Sequence, residues 1–361
     1  MISEEETPAG GCEPFNVADL PRAYGETVAV GVIRAVPEDF QVDEIIPMEP
    51  DGTGEHCLLQ IEKRNSNTNW VAGLLARHAG VPRRDVSYAG MKDRNAVTRQ
   101  WFSVRLAGRD EPDWHALGST DLRLLRITRH GRKLRTGALV GNRFRLRVTE
   151  LKVNGDRLGQ RLQRIKQGGI PNYFGEQRFG HQGGNLRQAR RLFEGGGRRI
   201  SRNKKGIYLS AARSLLFNRV LASRIEAGAW DRPLSRDWMA LAGSRSGFRL
   251  DGPPDEAILQ RCREMDIQPT GPLWGSGDPL VSDRVLRLES ACLAPCGLWR
   301  EGLERQGLKQ ERRPLRVPAG DLSWEIGEGE MTLSFSLPKG SYATALLREL
   351  IDYRVAGAGS E

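Results

Sequence analysis

The chain has 361 residues, 39% hydrophobic and 28% charged, which is enough for one large core or two ordinary ones and excludes a disordered tail or a fibre. Fifty-five Lys and Arg against 45 Asp and Glu leave a net charge of +10, which favours a polyanionic partner, nucleic acid first, over acidic proteins or neutral small molecules. No run of 18 apolar residues occurs, and no apolar segment follows the acidic Glu4-Glu5-Glu6, so neither a membrane span nor secretion is expected.

Residues 1–27 are polar and rich in Gly, Pro and acid, and they read as a loosely held arm before an apolar run starts at Val28. From there to about residue 150, β-branched content, period-two alternation and flanking turn residues predict strands. These are Val28–Val36, His56–Lys63, Asp85–Ala89, Gln100–Leu106, Leu122–Ile127 and Asn142–Thr149. One helix interrupts them: Asn67-Thr68 supplies its cap, Trp70, Val71, Leu74, Leu75 and His78 its stripe, and Gly80 with Pro82 its stop. Beyond about residue 155 the pattern turns helical, with helices predicted at Asp156–Gln167, Ser210–Glu226, Pro253–Met265 and Cys296–Leu308. Strands return at Trp324–Ile326 and Met331–Leu337 across Gly327-Glu328-Gly329, and a helix Ala343–Asp352 closes the pattern. This order describes an α+β protein, a β-rich domain interrupted by a mostly helical insertion.

Two stretches concentrate positive charge. Between Asp121 and Val148, nine basic residues, among them Arg129, Arg132, Lys133 and Arg135, stand against one acid. The second, at 187–205, includes Arg198, Arg199, Arg202, Lys204 and Lys205 around Gly195-Gly196-Gly197. One such strip is as readily a solvated face as a binding surface. Two in an already basic chain point to a phosphate backbone, with affinity that falls steeply with salt. The five cysteines, Cys12, Cys57, Cys262, Cys292 and Cys296, form neither a disulfide framework nor a paired zinc motif, which fits a reducing cytoplasm. Cys292 and Cys296 are expected to pack as buried thiols.

The segment Tyr88-Ala89-Gly90-Met91-Lys92-Asp93-Arg94-Asn95-Ala96-Val97-Thr98-Arg99-Gln100-Trp101-Phe102 sets an acid in a strand-to-strand turn between two cations. Cations beside a carboxylate keep it ionised and lower its pKa, which suits a nucleophile better than a general acid. By composition alone this Asp93 is an ordinary turn residue. Its surroundings, together with Pro171-Asn172-Tyr173-Phe174-Gly175-Glu176-Gln177-Arg178-Phe179-Gly180, resemble the signatures of the TruD family of tRNA pseudouridine synthases. Val36-Pro37-Glu38-Asp39-Phe40, Gly52-Thr53-Gly54-Glu55-His56, Gly141-Asn142-Arg143-Phe144 and Leu337-Pro338-Lys339-Gly340-Ser341-Tyr342-Ala343-Thr344 extend the resemblance over all but the arm.

The resemblance implies a pseudouridine synthase-like catalytic domain with a central mixed or antiparallel sheet at 28–167 and 315–361, an inserted mostly helical α/β domain at 168–314, and the arm at 1–27. It implies conversion of a tRNA uridine, typically position 13 in the D arm, to pseudouridine without metal or organic cofactor, in a cleft made by the two domains. Asp93 matches the family's nucleophile. Phe40, Asn142, Phe144 and Tyr342 match the residues that line its base pocket, Tyr342 where phenylalanine is frequent. Arg34 matches the basic residue, often lysine, that pairs with the nucleophile; arginine keeps its charge and cannot donate a proton near neutrality. The target base must be flipped out at a cost of a few kcal/mol, which stacking of about 1–3 kcal/mol per base offsets. Pro171–Gly180 reads as a packed corner at the insertion rather than as part of the chemistry. No protein partner and no membrane is implied.

Two other classes compete. A non-catalytic RNA-binding or chaperone module uses the same charge and aromatics but leaves the surroundings of Asp93 without a purpose. A metal-dependent nuclease needs clustered carboxylates, for which Asp39, Asp43 and Glu44 come nearest, although strand alternation divides them between faces. No GxxxxGK[ST] or HExxH motif occurs, and the five histidines form no cluster.

Overall fold

A computed structural model of the protein describes residue 12 and residues 14–153, 156–196 and 200–356. The chain divides into two compact units. The sheet unit comprises Thr27–Lys166, Ala319–Ala343 and the chain from Leu350 onward, and the helical unit comprises the residues up to Glu26 with Gln167–Pro318 and Thr344–Glu349.

In chain order the elements are β1 (Ala29–Ile33), β2 (Phe40–Ile45), β3 (His56–Arg64), α1 (Thr68–His78), β4 (Val86–Tyr88), β5 (Val97–Arg105), β6 (Leu122–His130), β7 (Gly141–Val153) and α2 (Arg157–Gly168). Then come β8 (Ile170–Pro171), α3 (Gly184–Phe193), α4 (Arg202–Glu226), β9 (Trp238–Leu241), β10 (Gly247–Arg249), α5 (Glu256–Arg263), β11 (Ile267–Leu273), α6 (Asp283–Leu293), α7 (Gly297–Arg305), β12 (Glu311–Pro314) and β13 (Arg316–Val317). The chain returns to the first sheet with β14 (Gly320–Gly327), β15 (Glu330–Pro338), α8 (Ala343–Leu347) and β16 (Ile351–Val355).

The main sheet is mixed: strands run β14-β15-β7-β2-β5-β3-β6, with β1 joining β7 to β16 and β4 pairing β5. β2·β5 and β1·β16 are parallel, and the other pairs are antiparallel. α1 forms where expected, capped by Asn67, whose side chain accepts from Asn69 N. It buries Val71, Ala72, Leu75 and Ala76 against Leu59, Ile61, Phe102 and Val104. Each such aliphatic or aromatic side chain contributes about 1.5–3 kcal/mol.

Several elements differ from the sequence pattern. The first strand was expected to run to Val36 but stops at Ile33, because Arg34 turns into the left-handed region at φ 59° and Pro37 follows. The closing helix Ala343–Asp352 ends at Leu347, and Ile351–Val355 becomes a strand parallel to β1. Its local pattern reads helical, but the open edge of β1 offers a ladder of hydrogen bonds that outweighs propensity. α4 starts eight residues before the predicted Ser210, at a cap formed by Ser201. No element is predicted for α3, α6 or strands β9 to β12, although α3 repeats Leu186, Ala189 and Phe193 at helical spacing and α6 repeats Val285, Glu289 and Leu293. β11 holds Pro269 and Pro272, which argue against a strand. Yet Pro269 lies opposite Met239 and Pro272 opposite Arg312, and where Pro269 O accepts from Leu315 N at 2.9 Å, Asn172 N donates to Leu315 O in place of the missing proline N–H.

Cys296 is corrected from a free buried thiol to a disulfide with Cys12. Burial pushes the Cys57 thiol up to about 12 and the Cys262 and Cys292 thiols up to about 11, which keeps them protonated and unreactive. Among the described residues no helix is long and apolar enough to cross a membrane.

Candidate active site

Register brings the sequence-predicted residues together on one face of the sheet. β2 and β7 pair so that Val42 opposes Phe144 and Glu44 opposes Asn142. β7 and β15 set Phe335 beside Phe144 and Leu337 beside Asn142. Through β5 the same face continues to Thr98 and Gln100, and through β3 to Lys63 and Ile61. Lys63, Thr98, Gln100 and Glu44 are buried polar residues in a surface otherwise built of Val, Leu and Phe. Phe144 stacks on Phe335 at 5.3 Å between ring centroids and meets Phe40 edge-on at 6.3 Å. Side-chain oxygen Oδ1 of Asn142 is buried and has no hydrogen-bond donor among the described residues.

Asp93 lies in the β4–β5 connection, which side chains hold at several points. Lys92 N donates to Thr68 Oγ1 at 3.1 Å, and Gln100 Nε2 donates to Gly90 O at 3.3 Å. Lys63 Nζ donates to the Asp93 carbonyl at 2.9 Å. The carboxylate itself meets Arg34, whose Nη2 donates to Oδ2 at 2.8 Å; the two side chains are 14% and 31% exposed, so the pair is reachable from solvent. The same guanidinium lies 3.9 Å from the centroid of the Phe40 ring. Arg34 thus joins the acid to the aromatic cluster. It does so from a left-handed backbone that costs an L-residue on the order of 1–2 kcal/mol, the kind of strain a site retains.

One sequence reading is corrected. Lys92 and Arg94 do not flank the carboxylate as its cations: Lys92 turns inward to a buried pair with Glu44 at 2.7 Å, and Arg94 is exposed. Glu44 also accepts from Trp101 N at 3.1 Å. The remaining members of the acidic trio are likewise committed elsewhere, Asp39 accepting from Val36 N and Asp43 paired with Arg99. Tyr342 lies half-buried in the turn between β15 and α8, five residues past Leu337.

The basic residues are dispersed. Arg129 is paired with Glu111 at 2.6 Å and Lys133 donates to Arg84 O, whereas Arg132 and Arg135 are exposed. Arg202 and Lys204 are exposed and Lys205 half-buried on the first turn of α4; Arg198 and Arg199 lie outside the described residues. In the helical unit, Pro171–Gly180 is a packed corner. Phe174 exchanges two backbone hydrogen bonds with the Asn218 amide, and Arg313 lies 4.0 Å over the Phe174 ring.

Sequence reasoning missed Lys63 and Phe335, and it named Glu44 only as one of an acidic trio, not as the partner of Lys92. Lys63 stands in Glu62-Lys63-Arg64, which reads as a solvated strand end, yet it shares the parity of the buried Leu59 and Ile61. That parity was the available signal.

A solved Methanosarcina mazei chain, described as a candidate tRNA pseudouridine synthase D (TruD), shares this fold with a TM-score of 0.70 at 22% identity, covering 91% of this chain and 95% of that one. The two chains therefore share one architecture. Residues 23–187 and 184–350 match the family model "tRNA pseudouridine synthase D (TruD)". The tRNA pseudouridine synthase D of Methylococcus capsulatus is 53% identical over 347 residues, 96% of this chain and 97% of the relative; that of Nitrosococcus oceani is 48% identical over 91% and 93%. The chain belongs to the TruD family of tRNA pseudouridine synthases, which are isomerases, and a non-catalytic RNA-binding module is not favoured.

Proposed function

We propose that this enzyme converts a uridine of tRNA, at position 13 of the D arm, to pseudouridine, with Asp93 as the nucleophile. The observation that carries the reading is the Arg34–Asp93 ion pair at 2.8 Å with the same guanidinium against Phe40. The reaction breaks the N1–C1′ bond, turns the uracil and joins C5 to C1′; C5 gives up its proton and N1 takes one up, so the product is an isomer of the substrate. Such a reaction needs one carboxylate, a surface that retains the detached ring, and a polar group that reads its edge. Phe40 and Phe144 supply the aromatic surface, with Tyr342 closing it. The free Asn142 Oδ1 accepts from a ring N–H of the base. Stacking at about 1–3 kcal/mol per base offsets the few kcal/mol of unstacking.

Arg129, Arg132, Lys133 and Arg135 of the sheet unit, and Arg198, Arg199, Arg202, Lys204 and Lys205 of the helical unit, serve the phosphate backbone in this reading. Residues 28–167 and 315–361 act as the catalytic domain, 168–314 as the inserted domain and 1–27 as its arm, in the cytoplasm where the substrate resides. Incubating the protein with unmodified tRNA transcripts and mapping carbodiimide adducts tests both reaction and position. Label at position 13 that is lost in Asp93→Asn, with tRNA still bound, is the expected result; no label on any transcript overturns the reading.

A further inference from the structure

Lys63 ends the buried face of β3, where alternation after Leu59 and Ile61 calls for another aliphatic residue, and it is 0% exposed. An ammonium group taken out of water is strongly disfavoured unless hydrogen bonds and a counter-charge accompany it. Nζ donates to Ser66 O at 2.6 Å and to Asp93 O at 2.9 Å. These carbonyls belong to the two turns that frame the carboxylate. The first turn is itself unusual, because Asn65 stands at φ 46° and its N–H donates to Ala96 O at 3.2 Å. Lys92, the neighbouring amine, is already committed to Glu44.

We propose that Lys63 is a positioning residue for the isomerisation: its ammonium group ties the Asp93 backbone to the end of β3 while Arg34 holds the carboxylate from the other side. The inference rests on the reading of Asp93 as the reacting acid. Around these turns Asp93 and Glu44 stand against Arg34, Lys63 and Lys92, so the local excess is positive. Any step that makes Asp93 neutral, by bonding to carbon or by capturing a proton, leaves that excess larger. The ammonium therefore favours return of the carboxylate and turnover.

Burial pulls the Lys63 amine down to about 8, with Asp93 opposing and Lys92 reinforcing the shift. The cross-strand neighbours, Thr98 on β5 and Leu122 on β6, carry no charge. The ammonium thus gives way to the amine within an accessible range, and the test is a pH profile.

Tritium release from transcripts carrying 5-tritiated uridine is followed in single turnover between about pH 6.5 and 9.5, for wild type, Lys63→Met and Lys63→Arg, with tRNA affinity measured in parallel. The wild-type rate is expected to fall about tenfold per pH unit above roughly pH 8. Lys63→Met is expected to be about 10–100-fold slower at neutrality, with tRNA affinity within about twofold and no such fall. Lys63→Arg keeps its charge and shows no fall below about pH 9. A Lys63→Met variant at wild-type speed, or one with the wild-type alkaline fall, overturns the inference. If Lys63→Met does not fold, the wild-type profile decides, and a flat profile through about pH 9 overturns it. A wild type that releases no tritium at neutrality instead removes the underlying reading of Asp93.

Discussion

In the helical unit Arg224 meets Asp237 at 2.7 Å with both side chains almost wholly buried, and Arg312 closes on Glu289 at 2.7 Å. In the sheet unit the buried polar residues run in a row from Lys63 through Thr98, Gln100 and Glu44, and the row ends on Asp93, 31% exposed, and on Asn142, whose Oδ1 lacks a donor. The first arrangement is closed: each charge has its partner, and nothing is offered to a ligand. The second is open, at Thr98 Oγ1 within the row and at Asn142 Oδ1 at its end. A buried polar group without a partner costs about 1–3 kcal/mol, and a protein keeps it where a substrate supplies the missing bond. Buried polarity is therefore not a mark of a site by itself; here the mark is an open acceptor on the same sheet face as a row that reaches a solvent-accessible carboxylate.

Substitutions sharpen this contrast. Asp93→Asn, which preserves shape, is expected to lower the single-turnover rate on the order of 10³-fold or more while the melting temperature and tRNA affinity hardly change. Asp237→Ala should do the reverse: urea denaturation is expected to show a loss of about 3–5 kcal/mol from the stranded Arg224, with the rate per folded molecule retained. If the two variants gave the same profile of stability and rate, the distinction between closed and open rows would fail.

Phe40→Leu keeps apolar volume but removes the ring under Arg34, and a rate lowered about tenfold is expected from the weaker stacking. Asn142→Leu removes the unpartnered oxygen, so stability should stay within about 1 kcal/mol or rise, while the rate falls roughly tenfold. The smallest effect belongs to the α4 terminus: the Lys204→Ala, Lys205→Ala pair should reduce the salt slope of tRNA affinity by about 1 for each phosphate no longer neutralised, with chemistry in bound complexes unaltered.

How far the site was legible depended on range. Asp93 stood out because its motif is contiguous, Phe40 because it closes Val36–Phe40, Asn142 and Phe144 because they share Gly141–Phe144, and Arg34 because it lies just before the Phe40 motif. Lys92 was misread for the opposite reason. Adjacent to Asp93 in sequence, it turns to Glu44, 48 positions away, which sequence neighbourhood does not reveal. Lys63 was passed over because a charged triple resembles a solvated strand end. The strand that completes the edge of β1 was hidden inside a helical pattern for the same kind of reason, since its partner lies more than 300 residues upstream.

Periodicity, capping and contiguous motifs suffice to read the α+β class, most strands of the sheet, the helix from Thr68, and the family whose motif holds Asp93. Long-range packing settled that Lys92 leaves the carboxylate for Glu44, which buried groups form the row, and that Asn142 Oδ1 at its end lacks a donor among the described residues. Those outcomes depend on cross-strand register, where a slip of one residue sends every side chain of a strand to the other face.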